Sequence, residues 1–158
     1  MKPDFDTWFA IQTLYADYAA ALDARELSRW PGFFTEDAVY RLQSRENFDR
    51  GLPLAVMALE GRGMLKDRVF GAAETIYHDP YSQRHIVSAP RLLSQEQDGW
   101  RCESSYLVIR TKRDAMPEIL SVGRTLDRIV STPEGLRFAE RCVIFDNDLI
   151  PNSIIDPL

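Results

Sequence analysis

Three features of this sequence predict an α+β fold. Apolar residues recur at helical spacing near the start, the texture changes to long β-rich runs from Gln83 onward, and turn signals cut those runs into consecutive strands. Helices first and an antiparallel meander second predict N-terminal helices packed on a long, strongly curved, mostly antiparallel sheet, with a cone-shaped pocket between the layers. The chain has 158 residues, enough for one good core and cramped for two, so residues 1–158 are expected to form a single domain.

Trp8, Ile11, Leu14, Tyr15, Tyr18 and Leu22 follow Asp6 at three- and four-residue steps among alanines, predicting a helix over 7–23 with Asp6 as its N-cap. Leu27-Ser28-Arg29-Trp30 and the Phe33-Phe34 pair suggest a second short helix, although Pro31 and Gly32 suit a 3₁₀ or broken turn equally well. Ala38–Leu42 alternates like a first strand. Pro53 followed by Leu54, Met57, Ala58 and Leu65 then reads as a third helix interrupted near Gly61 and Gly63.

Asp98-Gly99, Arg113–Pro117 and Thr132–Gly135 are turn signals that predict strands over 83–95, 100–112, 118–131 and 136–146. Strands this long must twist and curl. Residues 147–158 form a tail that is apolar at Leu149, Ile150, Ile154, Ile155 and Leu158, and too rich in Pro and Asn for a long helix. Free termini are usually polar, so an apolar tail is expected to dock, either on this subunit or on a neighbour.

Composition narrows the function classes. Nineteen basic against twenty-four acidic residues give a net charge of −5, with no Lys/Arg cluster suited to a phosphate backbone, so no nucleic-acid partner is expected. No apolar run approaches the roughly 20 residues of a membrane span, and Met1–Asp6 lacks the order of a signal peptide, so no membrane role and a cytoplasmic location are expected. Two cysteines, Cys102 and Cys142, and two histidines, His78 and His85, are too few for a disulfide framework or a four-Cys cluster.

The segments Trp8–Asp23 and Trp30–Tyr40 resemble the opening of NTF2-like proteins. Arg45-Glu46-Asn47 with Gly51-Leu52-Pro53, Met64-Leu65-Lys66-Asp67-Arg68-Val69, and His78-Asp79-Pro80-Tyr81-Ser82-Gln83-Arg84-His85 narrow the resemblance. They look like the small, or beta, subunit of bacterial aromatic-ring-hydroxylating oxygenases, nearest the branch acting on salicylate, anthranilate and similar aromatic acids. The resemblance implies an NTF2-like cone and a large (alpha) oxygenase subunit as partner, in an assembly of three large and three small subunits. It also implies that the Rieske [2Fe–2S] cluster and the mononuclear iron belong to the large subunit, leaving this chain without cofactor, metal or catalytic residue.

The ligand inventory points the same way. A Rieske centre takes two Cys and two His, and a mononuclear oxygenase iron takes two His and a carboxylate, so one chain with this inventory cannot serve both. His78, Asp79 and His85 would make a poor iron site, because seven residues containing Pro80 provide no regular element that brings both rings to one face. The plain alternative has His78 capping a turn with Asp79-Pro80 and His85 half-buried in a strand.

A rival class uses the same architecture. NTF2-like cones host isomerases and dehydratases in which a buried acid or His acts as general base, and Tyr15, Asp23, Tyr40, Asp79 and His85 are the candidates here. Asp23 could equally cap the helix end, and Tyr15 and Tyr40 could be core aromatics with bonded hydroxyls. A binding module without an enzyme partner is a third class.

Strict alternation over the third long strand puts Leu120, Val122, Arg124, Leu126, Arg128 and Val130 on one face, and Ile119, Ser121, Gly123, Thr125, Asp127 and Ile129 on the other. Arginines among aliphatic groups suit a subunit interface, with Glu103, Glu140 or Asp146 as partners, or else lay their stems on the sheet with heads in water. The expected interface therefore comprises Arg124, Arg128 and the tail residues Ile150, Ile154, Ile155 and Leu158, and the chain is expected to self-associate as a trimer.

Overall fold

The computed structural model describes residues 3–150 and 153–158. Helix α1 runs Phe5–Asp23, and its N-cap is Asp4 rather than the expected Asp6: Asp4 has extended backbone and its carboxylate accepts from the Thr7 N–H and hydroxyl, both at 2.9 Å. Asp6 lies in the first turn, where its charge favours the helix dipole. A 3₁₀ helix follows over Leu27–Phe33 with Pro31 inside it, and carries Trp30 wholly into the core.

Strand β1, Phe34–Ser44, is longer than the sequence pattern suggests, and a short helix α2, Arg45–Asp49, follows it with Ser44 as N-cap. The expected helix from Pro53 onward is corrected. Met57–Glu60 forms strand β2, paired antiparallel to β1 from Val39↔Glu60 to Leu42↔Met57, and helix α3 spans Gly61–Phe70. Gly61, at φ +80°, turns the chain from strand into helix, so the residue that looked like an interruption is the junction. A single π turn, Gly71–Thr75, ends this part.

The expected strand over 83–95 is two strands, β3 (Tyr81–Val87) and β4 (Arg91–Gln95), each antiparallel to β5 (Gly99–Lys112). Pro90 has no N–H for a ladder, and Ser88 leaves regular pairing with one bond to the Ser105 carbonyl at 2.9 Å. Strands β6 (Glu118–Thr132) and β7 (Gly135–Phe145) complete one seven-stranded sheet ordered β2-β1-β7-β6-β5-β3, with β4 also on β5. Its one parallel pair is β1 with β7.

Four register shifts interrupt and curve the sheet, two of them bulges in the pairings of β6. One leaves Leu120 unopposed between Val108↔Ser121 and Ile109↔Ile119, and the other leaves Ala139 unopposed beside Arg128↔Glu140 and Ile129↔Phe138. The first corrects the reading of strand faces. From Ser121 to Ile129 odd-numbered residues face the cone, but the extra residue turns Leu120 inward, to 2% exposure, and Ile119 outward, to 59%.

The core lies between α1, the 3₁₀ helix and α3 on one side and the concave sheet on the other, where Trp30, Phe34, Tyr18 and Phe138 meet edge to face. The tail folds back into this space: Ile154, Ile155 and Leu158 are buried by their own chain. Pro151 and Asn152, which figured in the expectation of an extended tail, lie outside the described residues.

Candidate functional site: the cone interior and the outer sheet face

At the floor of the cone, Asp127 of β6 sits opposite Arg141 of β7 in the antiparallel register, both pointing inward. Arg141 Nη1 donates to Asp127 Oδ2 at 3.0 Å, and the same oxygen accepts from Thr125 Oγ1 at 2.7 Å and from the Tyr15 hydroxyl at 2.5 Å. The guanidinium lies over the ring of Tyr18 at 4.2 Å and of Phe138 at 4.8 Å. Burial pushes the Asp127 carboxyl above its ordinary range while Arg141 pulls it back. Burial and the neighbouring Asp127 charge hold the Tyr15 phenol well above its usual value. Sequence reasoning missed this pair, although a charged residue on the otherwise inward face of β6 was its visible trace.

Above the floor, the tail packs into the cone. Tyr18 and Tyr40 both donate their hydroxyls to the Leu158 carbonyl oxygen, at 2.8 and 3.0 Å, and Tyr40 accepts the Leu158 N–H at 3.0 Å. Trp30 Nε1 donates to the Tyr18 hydroxyl at 2.9 Å. Arg68 of α3 donates to the carbonyl of Ile155 at 2.5 Å, and Arg25 pairs at 2.7 Å with the buried Asp156. Ile154, Ile155 and Leu158, expected at a subunit interface, are therefore spent on this subunit's own core, while Ile150 is only partly buried against it.

Two of the candidate acid/base residues do meet. Asp23, at the end of α1, accepts the His85 backbone N–H with both oxygens at 3.0 Å and contacts His85 Nδ1 at 2.6 Å, tying α1 to β3. The His85 side chain is 3% exposed rather than half-buried, and its Nε2 has no hydrogen-bond partner. A cleft of about 340 Å³ lies beside the pair, lined by Gln12, Tyr15, Asp23, His85 and Ser88 among others. Tyr40 is elsewhere, engaged by the tail. Asp79 does not join either group: it stands 81% exposed in the loop before β3, 3.4 Å from Lys112 Nζ.

The donor set does not fit a Rieske cluster. Cys102 faces the cone and Cys142 the opposite side of the sheet, in register with Asp127 and Leu126 respectively on β6. Burial pushes their thiols up to about 12 and about 11, against the thiolate form that binds metal. His85 is committed to Asp23, and His78 Nδ1 lies 2.9 Å from the Asp79 carbonyl in an exposed loop. Among the described residues, no group of three or more His, Cys, Asp or Glu is placed to hold a metal ion, and no helix is long and apolar enough to cross a membrane.

On the outer sheet face the arginines are matched within the chain. Arg124 reaches Glu103 at 3.2 Å and lies over Phe48, and Arg128 bonds Glu96 and Asp98 at 2.8 Å. Arg101 links Glu96 to Glu140. Arginine hydrogen bonds hold the Glu96 carboxyl below its ordinary range. Of the carboxylates expected to await these arginines, Glu103 takes Arg124, Glu140 takes Arg101, and Asp146 pairs with Arg45 at 3.1 Å.

The tail is thus packed into the cone, and comparison with known proteins supplies the family. A family model described as the ring hydroxylating beta subunit matches residues 17–152. The chain belongs to that family. This beta subunit is 32% identical over its whole length to the anthranilate 1,2-dioxygenase small subunit of Burkholderia cepacia, covering 98% of that protein. It is 26% identical over 94% of its length to a beta subunit of the terephthalate 1,2-dioxygenase terminal oxygenase of a Comamonas species, covering 96% of it. A crystal structure from Novosphingobium aromaticivorans, described as an aromatic-ring-hydroxylating dioxygenase beta subunit, superposes with a TM-score of 0.88 at 32% identity, covering 96% of this chain and 97% of that one. The NTF2-like α+β fold expected from the sequence is thus the observed one, and the beta subunit is one part of an oxygenase that also has a large subunit.

Proposed function

We propose that this beta subunit is a non-catalytic scaffold that holds three large subunits with three copies of itself, in a cytoplasmic oxygenase acting on an aromatic acid of the salicylate or anthranilate kind. The Rieske cluster and the mononuclear iron are carried by the large subunits in this reading. The observation that supports it most is the tail in the cone: Leu158 is buried there, held by Tyr18 and Tyr40. The acid class is supported by the names of the two oxygenase relatives, anthranilate and terephthalate, both aromatic carboxylates.

This chain's own contribution is then geometric: a stiff sheet, braced by buried ion pairs and a sealed core, that fixes the spacing of its partners. The test is co-expression with the large subunit, followed by purification and metal analysis. The reading expects a stable complex whose iron stays with the large subunit when the two are separated, and a colourless isolated beta subunit. Stoichiometric iron in the isolated chain, or failure to co-purify, would overturn it.

One observation favours a second reading, a pocket enzyme: the Asp23–His85 pair beside its cleft, since a His oriented by a carboxylate through Nδ1 is a competent general base. The pair also has a structural use, because Asp23 anchors the β3 backbone at His85.

A further inference from the structure

Helix α1 and the edge of the sheet leave a groove of about 340 Å³ between them. It runs along α1 from Gln12 to Asp23, a length of about 16 Å at about 1.5 Å per residue. Its helical wall is made by Ala16, Ala19 and Ala20, and Val87 and Pro90 face them from the end of β3 and the loop after it. Small side chains against flat ones make this a slot with apolar walls. Two of its lining residues, on opposite walls, each carry a buried polar atom without a hydrogen-bond partner: Gln12 Nε2 on α1 and His85 Nε2 on β3. The His85 side chain is 97% buried, being 3% exposed.

The neighbours of each atom dictate what would pair it. A carboxylate only accepts, so the 2.6 Å contact with Asp23 places the His85 proton on Nδ1 and leaves Nε2 of the neutral ring an acceptor that needs a donor. Gln12 Nε2 is a donor that needs an acceptor. The Asp23 charge is engaged by His85 and stands 3.7 Å from Arg84 Nη1, so it does not bar an anionic guest. We propose that this groove binds a single-ring aromatic acid with a hydroxyl para to its carboxylate. The hydroxyl donates to His85 Nε2, and the carboxylate accepts from Gln12 Nε2.

Para substitution puts the two polar groups at opposite ends of a flat ring, matching a slot whose unpaired acceptor and donor stand on opposite walls. The volume of about 340 Å³ is near the lower end of ligand pockets, which suits one ring rather than two. A buried polar atom left unpaired costs free energy, and a guest that pairs both atoms recovers it where a purely apolar ring does not. Gln12 is only part-buried as a residue, so its side chain can turn to admit the guest. The guest is held and not transformed: no bond is made or broken, so the site goes beyond the scaffold reading without opposing it.

The experiment titrates the full chain with para-hydroxybenzoate, benzoate and phenol, read by calorimetry and by the imidazole NMR signals. The chain has two histidines, and a His78→Gln variant assigns the signal of His85. Ala16→Leu, at an exposed position of the helical wall, narrows the slot, and Gln12→Leu removes the donor. Circular dichroism checks that both variants are folded. The expected result is para-hydroxybenzoate bound with a Kd of about 1 mM or tighter and a shifted His85 signal, with benzoate and phenol at least about tenfold weaker. Either variant should weaken para-hydroxybenzoate by at least about tenfold. No binding at about 10 mM, equal affinity for the three probes, an unshifted His85 signal, or unchanged binding by folded Ala16→Leu would each overturn the proposal. The comparison of probes on the wild type decides the matter even where a variant fails to fold.

Discussion

Tyr40 holds Leu158 at two points, accepting its backbone N–H and donating to its carbonyl oxygen, each at 3.0 Å, across 118 residues of sequence. This clasp closes the cone. It also changes what the tail is for: its aliphatic side chains complete the core of one subunit rather than reach for another.

Tyr40→Phe should therefore destabilise the isolated beta subunit by about 1–3 kcal/mol, since the buried Leu158 N–H loses its partner while Tyr18 still serves the carbonyl. Deleting residues 153–158 should cost more, roughly 3–7 kcal/mol, by uncovering the sites of Ile154, Ile155 and Leu158. Urea denaturation followed by circular dichroism measures both. A deletion that weakens association with partners yet leaves the urea midpoint unchanged would return the tail to an interface role.

The floor pair makes a second prediction. Arg141→Ala leaves Asp127 buried without its counter-charge and should cost about 3–5 kcal/mol, whereas replacing Asp127 and Arg141 together by Leu and Met should be far milder. Equal losses for the single and the double variant would show that the two side chains do not act as a pair.

Alkaline pH gives a third. Burial raises the phenols of Tyr15, Tyr18, Tyr40 and Tyr106 above their ordinary value, so the folded state holds them protonated after the unfolded chain would release them. Their contribution to stability is complete below the unfolded value of about 10 and is lost as pH rises above it. Apart from the share of the exposed Tyr77, tyrosinate absorbance should therefore rise together with the loss of circular dichroism, in one transition beginning above pH about 10. Tyrosinate forming at the four buried rings in a protein that keeps its fold would contradict the burial.

Helix α1 and strands β5, β6 and β7 were legible because each is long enough for its periodicity to dominate local exceptions. The β2–α3 region was not. Met57–Glu60 is a strand only because β1 offers it a partner, and Gly61 marks a junction rather than a break. The extra Leu120 in β6 was invisible for the same reason: a bulge is defined by the opposite strand, and sequence alternation carries no record of it. Residue types at the site were legible sooner than their meetings. Asp23 and His85 were both candidates, but their contact spans 62 residues, and nothing in the sequence ordered Tyr40 to the tail rather than to a ligand. Asp127 and Arg141 were separated from the surface arginines only by strand register.

The scaffold account is tested most directly by turnover of the assembled oxygenase carrying a beta subunit with Asp23→Asn and His85→Gln, normalised to its iron and Rieske cluster content. These are the residues on which a catalytic cone would depend, and both are polar replacements of similar size. The account predicts turnover per iron equal to that of the wild-type complex, with any loss confined to the yield of assembly. A complex that assembles fully, with normal cluster and iron, yet does not turn over would contradict it and make the Asp23–His85 pair part of the chemistry.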